Sequence, residues 1–137
     1  MKKIYTSQLS SIEEMAEDTE CFLSENDVDM SIIFTMNLCL DEIFTNIISY
    51  GYKNEADGEI ELNLELKNDN IIALIRDSSP EFDPTSQAPE ADITSPIEDR
   101  EIGGLGIFLC QKNMDTFEYR RVGNKNELKL SKKLCLA

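Results

Sequence analysis

Glu42 and Asn46 stand four residues apart in SIIFTMNLCLDEIFTNIISY (31–50), a spacing that puts both on one helical face, one a turn above the other. A carboxylate and a carboxamide stacked in this way could hold a hydrated Mg2+ and orient a reacting hydroxyl; a pair of solvated surface polars would have the same spacing. Asp77 closes the apolar run IIALIRD (71–77), where its carboxylate could accept a hydrogen bond from an exocyclic amino group such as adenine's. A charged acceptor makes such a bond worth about 1.5–3 kcal/mol, although a lone Asp at a strand end is often only a turn former. Gly103, Gly104 and Gly106 form GGLG ahead of another apolar segment. Glycines that open a helix let phosphate oxygens reach backbone N–H groups at the positive end of its dipole, and they also make plain loop-to-helix turns.

These residues need elements to position them. Ile32, Met36, Cys39, Leu40, Ile43, Phe44 and Ile47 recur at three- and four-residue steps, which predicts an amphipathic helix over 31–50, packed on a core. Asp29 or Ser31 is expected to cap it, and Gly51 to end it in a left-handed C-cap. Before it, Lys2 to Thr6 reads as a strand, and a helix capped by Ser10 or Ser11 runs to about Ser24. Ile12, Met15, Ala16, Thr19, Phe22 and Leu23 mark the buried face of that helix.

After it, Ile60, Leu62, Leu64 and Leu66 alternate with Glu59, Glu61, Asn63 and Glu65, the pattern of a strand with one wet face. Lys67 to Asn70 turns the chain into Ile71–Ile75, apolar on both faces and so central in a sheet. From Ser78 to Ile102 periodicity is lost among four prolines and many acids, a segment long enough to be a lid. Leu105 to Met114 reads as a helix, and Thr116–Arg121 and Glu127–Leu134 as a hairpin about Gly123-Asn124. The expected fold is α+β, a two-layer sandwich of a largely antiparallel sheet with helices on one face, in a single domain over 1–137 whose lid is 78–102.

Composition narrows the chemistry. The 137 residues carry a net charge of −14, which argues against nucleic acid as a partner, since phosphate contacts need a basic surface. There is no histidine, so a histidine phosphoacceptor, a Ser-His-Asp triad, a Cys-His dyad and nearly every zinc site are excluded. Cys21, Cys39, Cys110 and Cys135 make no C-x-x-C pair and read as reduced thiols, two of them in apolar surroundings. No apolar run nears the roughly 20 residues of a membrane span, and MKKIYTSQLSS lacks the apolar stretch of a signal peptide. A cytoplasmic protein with no membrane partner is expected.

Taken together and in order, DEIFTNIISYGY (41–52), the strand start at 58–60, Asp77 with the SSPEFDP that follows it (78–84), IGGLGIFL (102–109) and MDTFEYRRVGNKNELKLSKKL (114–134) resemble the GHKL nucleotide-binding superfamily, the Bergerat fold of DNA gyrase and histidine-kinase catalytic domains. Within it the chain is most similar to the small anti-sigma-factor serine kinases. The resemblance implies ATP and Mg2+ as cofactors, with Asn46 on the metal and Glu42 as general base or hydroxyl-orienting group. It implies that Asp77 reads the adenine amino group, that Gly103, Gly104 and Gly106 bend the lid over the phosphates, and that Arg100 touches the γ-phosphate. It further implies a homodimer that binds a sigma factor and phosphorylates a serine of an anti-anti-sigma partner.

Two positions depart from the family pattern. The D-x-G motif reads Asp77-Ser78-Ser79, which would cost roughly 1–2 kcal/mol if that position requires a left-handed backbone. Tyr50 stands where related helices carry histidine. The alternative function is therefore a Bergerat-fold module, weakened in catalysis, that acts by holding a protein partner. A free-standing ATPase would want a transducer domain not found in these 137 residues.

Overall fold

A computed structural model describes residues 1–84 and 102–134. Alternation of apolar and polar residues builds the sheet. In β2 (Glu59–Lys67) Ile60, Leu62 and Leu64 are fully buried while their neighbours face outward, and in β3 (Asn70–Asp77) Ile71, Ala73, Ile75 and Asp77 are buried. Asn68 and Asp69 join these strands with φ of 53° and 62°, the positive pair of a type I′ hairpin turn. β1 (Lys2–Thr6), β4 (Thr116–Val122) and β5 (Lys125–Lys133) complete an antiparallel sheet in the order β1-β2-β3-β5-β4. β3 is thus central, as its composition predicts, yet Ile72 and Leu74 on its second face are only half-buried. Among the described residues no helix covers that face, which carries a ladder of charged side chains.

The three helices among the described residues lie on the other face. α1 (Ser10–Glu25) buries Ser11, Met15, Thr19 and Leu23. Its N-cap is Leu9, with no side-chain capping bond, because Ser11 turns inward to share a hydrogen bond with Thr6 Oγ1 at 3.2 Å. α2 (Met30–Asn46) is the core helix: Ile33, Met36, Leu40, Ile43 and Phe44 press on the sheet, and the Tyr5 and Phe44 rings meet edge to face at 5.7 Å. Asp29 occupies its N-cap but accepts from Ser31 Oγ at 2.6 Å instead of capping a backbone N–H.

α2 does not stop in a left-handed cap. It runs on through a π-helical turn, Ile47–Gly51, and the positive φ values come later, at Lys53 and Asn54. Gly51 is there for another reason: a Cβ on it would lie 2.5 Å from Ser79 Oγ. The continuous helix Met30–Gly51 has 22 residues and is long and apolar enough to cross a bilayer by length and composition, which inspection for unbroken apolar runs overlooks. Here its apolar side goes into the domain core. α3 (Ile102–Asn113) starts three residues earlier than the sequence pattern suggests, so Gly103, Gly104 and Gly106 lie inside its first turns and not in a preceding loop. Most of the expected lid, and Arg100 with it, lies outside the described residues.

Candidate nucleotide-binding cleft

Five elements meet at one cleft. The C-terminal half of α2 and its π turn supply Ile43, Asn46, Ile47 and Gly51; β3 and the chain after it supply Ile75, Asp77, Ser79, Phe82 and Pro84; α3 gives Ile107; β4 and β5 give Tyr119, Asn126 and Leu128. Most of the wall is apolar, and the lining includes two aromatic residues, Phe82 and Tyr119, which suits a flat heterocycle. The cleft spans about 440 Å³ counting its open mouth.

Of the residues singled out from the sequence, Asn46 and Asp77 line this cleft and both are buried. Glu42 sits one turn before Asn46, where α2 meets α3. A Cβ on Gly106 would fall inside the Glu42 carboxyl group, so this glycine is what lets α3 come so close. Glu42 Oε1 is buried without a hydrogen-bond partner. Burial pushes the Glu42 carboxyl above its ordinary range, the Asn46 amide opposes this, and Asp41 adds to it. Buried polar atoms are rarely left unpaired; an unpaired carboxylate oxygen beside a cleft is a group available to a ligand proton or cation.

The floor of the cleft is held by a residue that motif reading misses. Asn126 is directly opposite Asp77 in the β3–β5 register, and its Nδ2 donates to Asp77 Oδ1 at 3.1 Å, Ser79 O at 3.3 Å and Pro80 O at 3.1 Å. Its Oδ1 accepts from the Tyr119 hydroxyl at 2.6 Å, Arg121 Nη1 at 3.1 Å and Phe82 N–H at 3.3 Å. Arg121 also donates to Ser79 O at 2.9 Å. Asn126 thereby ties the chain leaving β3 down onto β5. Nothing in its local sequence sets it apart; only the strand register brings it to Asp77.

Ser79 is not strained. It is absent from the positive-φ residues among those described, so the backbone penalty expected for replacing the motif glycine does not arise. The serine is instead built in: its N–H donates to Asp77 Oδ1 at 3.0 Å, and its hydroxyl donates to the same oxygen. Asp77 Oδ1 thus receives donors from Ser79 and Asn126, while among the described residues Oδ2 receives none. One carboxylate oxygen is used to fix the group and the other is free for a donor on a bound base. The residues present therefore fit a nucleotide with its divalent cation: apolar walls, a buried acceptor on the floor, a carboxamide at the rim and an unpaired carboxylate beyond it.

Comparison with known proteins agrees with this geometry. The histidine kinase-like ATPase domain profile matches residues 5–132. The chain is 31% identical over 98 residues to the serine/threonine-protein kinase BtrW of Bordetella bronchiseptica, covering 72% of this chain and 68% of that one. It is 29% identical over 113 residues to an anti-sigma F factor of Clostridium beijerinckii, covering 82% and 78%. With the serine-protein kinase RsbW of Listeria monocytogenes it shares 30% over 83 residues, covering 58% of this chain and about half, 53%, of the relative. Among solved structures, the RsbU and RsbW domains of a Mycobacterium tuberculosis protein superpose with a TM-score of 0.67 at 12% identity, over 98% of this chain and 31% of that one. The catalytic domain of the histidine kinase ThkA superposes at 0.55 and 13% identity, over 98% and 97%. The profile match spans nearly the whole chain, and the chain belongs to the histidine kinase-like ATPase domain family.

Proposed function

We propose that this chain is an ATP-dependent serine-protein kinase that also acts as an anti-sigma factor in bacterial transcription regulation, working as a cytoplasmic homodimer on an anti-anti-sigma partner. The observation that carries the reading is the buried, unpaired Oε1 of Glu42 one turn before Asn46, packed against Gly106 beside a cleft floored by Asp77. The relatives named as serine-protein kinases and as an anti-sigma factor support it.

ATP with Mg2+, when bound, supplies an electrophilic phosphoryl group whose charge is partly neutralised by the metal. The chain's part is positioning. Asp77 Oδ2 accepts from the base's amino group while Ser79 and Asn126 hold the carboxylate still. The Asn46 carboxamide oxygen would hold the metal. Glu42, ionised, accepts the proton of the incoming serine hydroxyl, and its raised proton affinity makes it a better base. The backbone N–H groups of Gly103 and Gly104, at the start of α3, would be the donors to the phosphates; Arg100, assigned to the γ-phosphate by family resemblance, lies outside the described residues.

Calorimetric titration of ATP with Mg2+ into the wild type, Asn46→Ala and Asp77→Ala tests the site. Binding that weakens at least tenfold in both variants supports it; equal binding in all three would sink it. Transfer of the γ-phosphate to a cognate serine-bearing partner then tests the kinase half.

A second reading rests on Ser79, whose hydroxyl occupies one oxygen of Asp77 where the family motif has glycine. Here the chain holds its partner without turning over nucleotide, and the stability of the complex is indifferent to ATP.

A further inference from the structure

Along the outer face of α2, Met30, Phe34 and Leu38 are 58%, 65% and 57% exposed. Their four-residue spacing draws one stripe about 12 Å long on the helix surface. α3 extends it. Gly106 lies against Glu42, and Cys110 Sγ reaches the Cys39 carbonyl at 3.8 Å, so α3 runs antiparallel to α2 and Leu109, 50% exposed, falls on the edge beside Leu38. Single exposed apolar residues are ordinary, but a contiguous row of large ones marks a contact surface.

On its α1 and α2 side the rim of the stripe is of one sign, while α3 contributes Lys112, whose ammonium sits over the Phe108 ring at 5.2 Å. From Ser10 to Asp41 the chain has nine carboxylates, Glu13, Glu14, Glu17, Asp18, Glu20, Glu25, Asp27, Asp29 and Asp41, and no lysine or arginine. Asn37 of α2 donates to the Ala16 carbonyl of α1 at 3.3 Å, which places the exposed Glu13 and Glu20, one turn on either side of Ala16, along the α2-facing edge of α1. Asp29 and Asp41 bracket the stripe on α2 itself.

We propose that this stripe is a docking groove for a basic amphipathic helix of another protein, its apolar side on Met30, Phe34, Leu38 and Leu109 and its lysines or arginines over the flanking carboxylates. Charge decides the occupant. A second copy of this chain would set its own flanking carboxylates against these, and an anionic membrane surface or a nucleic acid would be repelled. The groove uses no side chain lining the nucleotide cleft, so the proposal stands or falls separately from the kinase reading.

The test uses two synthetic 18-residue helical peptides, one with a leucine face and a lysine face, the other with glutamate in place of lysine. Binding is measured by fluorescence anisotropy at two salt concentrations with the wild type, with Phe34→Ser/Leu38→Ser, and with Ile4→Ser. Ile4 is 55% exposed on the opposite side of the sheet and serves as a control of equal character. The expected result is binding of the lysine peptide alone, weakened at least tenfold in Phe34→Ser/Leu38→Ser, unchanged in Ile4→Ser and reduced by salt. Equal binding to all three proteins would reduce the effect to general charge attraction and overturn the proposal. So would sedimentation showing that the wild type self-associates and that Phe34→Ser/Leu38→Ser alone abolishes it, which would make a second copy the occupant.

Discussion

Glu42 carries two consequences that can be separated by one substitution. Its carboxylate is buried and one oxygen is unpaired, so the ionised form is held at a cost in the folded chain. Its proton affinity is raised in the folded state, chiefly by burial, so the folded chain binds the proton more tightly than the unfolded chain does. Stability contributed by protonated Glu42 is therefore present at acid pH and declines as pH rises from the ordinary carboxylate range through the raised folded value. Glu42→Gln removes that decline. The variant should melt at a higher temperature than wild type at pH 8, and the gap should close as pH is lowered below the ordinary carboxylate range. In the same variant phosphate transfer should fall about 10²- to 10⁴-fold, the usual contribution of a general base. A gain in stability without loss of transfer would leave Glu42 as a merely tolerated buried acid. The pair Glu42 and Asn46 is legible from sequence because four-residue spacing needs nothing beyond helix geometry. Asn126 is not legible, because its meeting with Asp77 depends on the pairing of two strands separated by 49 residues.

Elements enter through how closely they approach one another. The π turn Ile47–Gly51 carries Gly51 against Ser79, whose Oγ and Cβ would lie 2.5 and 3.0 Å from a Cβ at position 51. A glycine on the helix and a serine after the strand thus fit as a pair. Sequence reading sees each alone: Gly51 as a helix stop, Ser79 as a damaged motif. It misreads both for the same reason, since neither residue's role is set by its own neighbours. Gly51→Ala should cost about 1–3 kcal/mol by overpacking, because the short serine side chain has nowhere to go while bonded to Asp77. Ser79→Gly should cost about 1 kcal/mol through the lost hydrogen bond and the added chain freedom. The double variant Gly51→Ala/Ser79→Gly should be more stable than the sum of the two, with a coupling of at least about 0.5 kcal/mol in a double-mutant cycle by urea denaturation. Additive costs would mean that the two residues do not meet. By contrast, strand and helix identities are legible throughout the described chain, because alternation and three-to-four spacing are local signals; the missing serine caps show where a tertiary contact, such as Thr6 on Ser11, outbids a local one.

At the scale of the whole molecule, the sheet face without helices is held by charge. Glu61 on β2, Arg76 on β3, Glu127 on β5 and Arg120 on β4 are successive cross-strand partners. Arg76 donates to Glu61 Oε2 at 3.0 Å and to Glu127 Oε2 at 2.8 Å, and Arg120 Nε donates to Glu127 Oε1 at 2.6 Å. No segment of the sequence announces this ladder, since it exists only once four strands are in register. Isolated surface pairs contribute little, but the Glu127 side chain is only 6% exposed. Burial alone would raise its proton affinity, and the hydrogen bonds from Arg76 and then Arg120 overcome this and hold it below the ordinary carboxylate value. Glu61 is lowered as well: burial works against it, and Arg76 and Lys2 outweigh that. For groups lowered on folding, the stabilisation is in place above the ordinary carboxylate range and is lost as pH falls through the lowered values. Arg76→Met keeps the stem's packing over Ile72 and Leu74's face of the sheet but strips both carboxylates of their shared cation. It should cost about 1–3 kcal/mol at pH 7, the range for leaving a buried polar group short of a partner. As pH falls and Glu127 and Glu61 take up protons, wild type loses what the arginine gave it, so the two unfolding curves should converge. Urea titrations of both proteins from pH 7 down to pH 3 measure this directly. A cost that stays constant across that range would assign the loss to packing and leave the ladder without an energetic role.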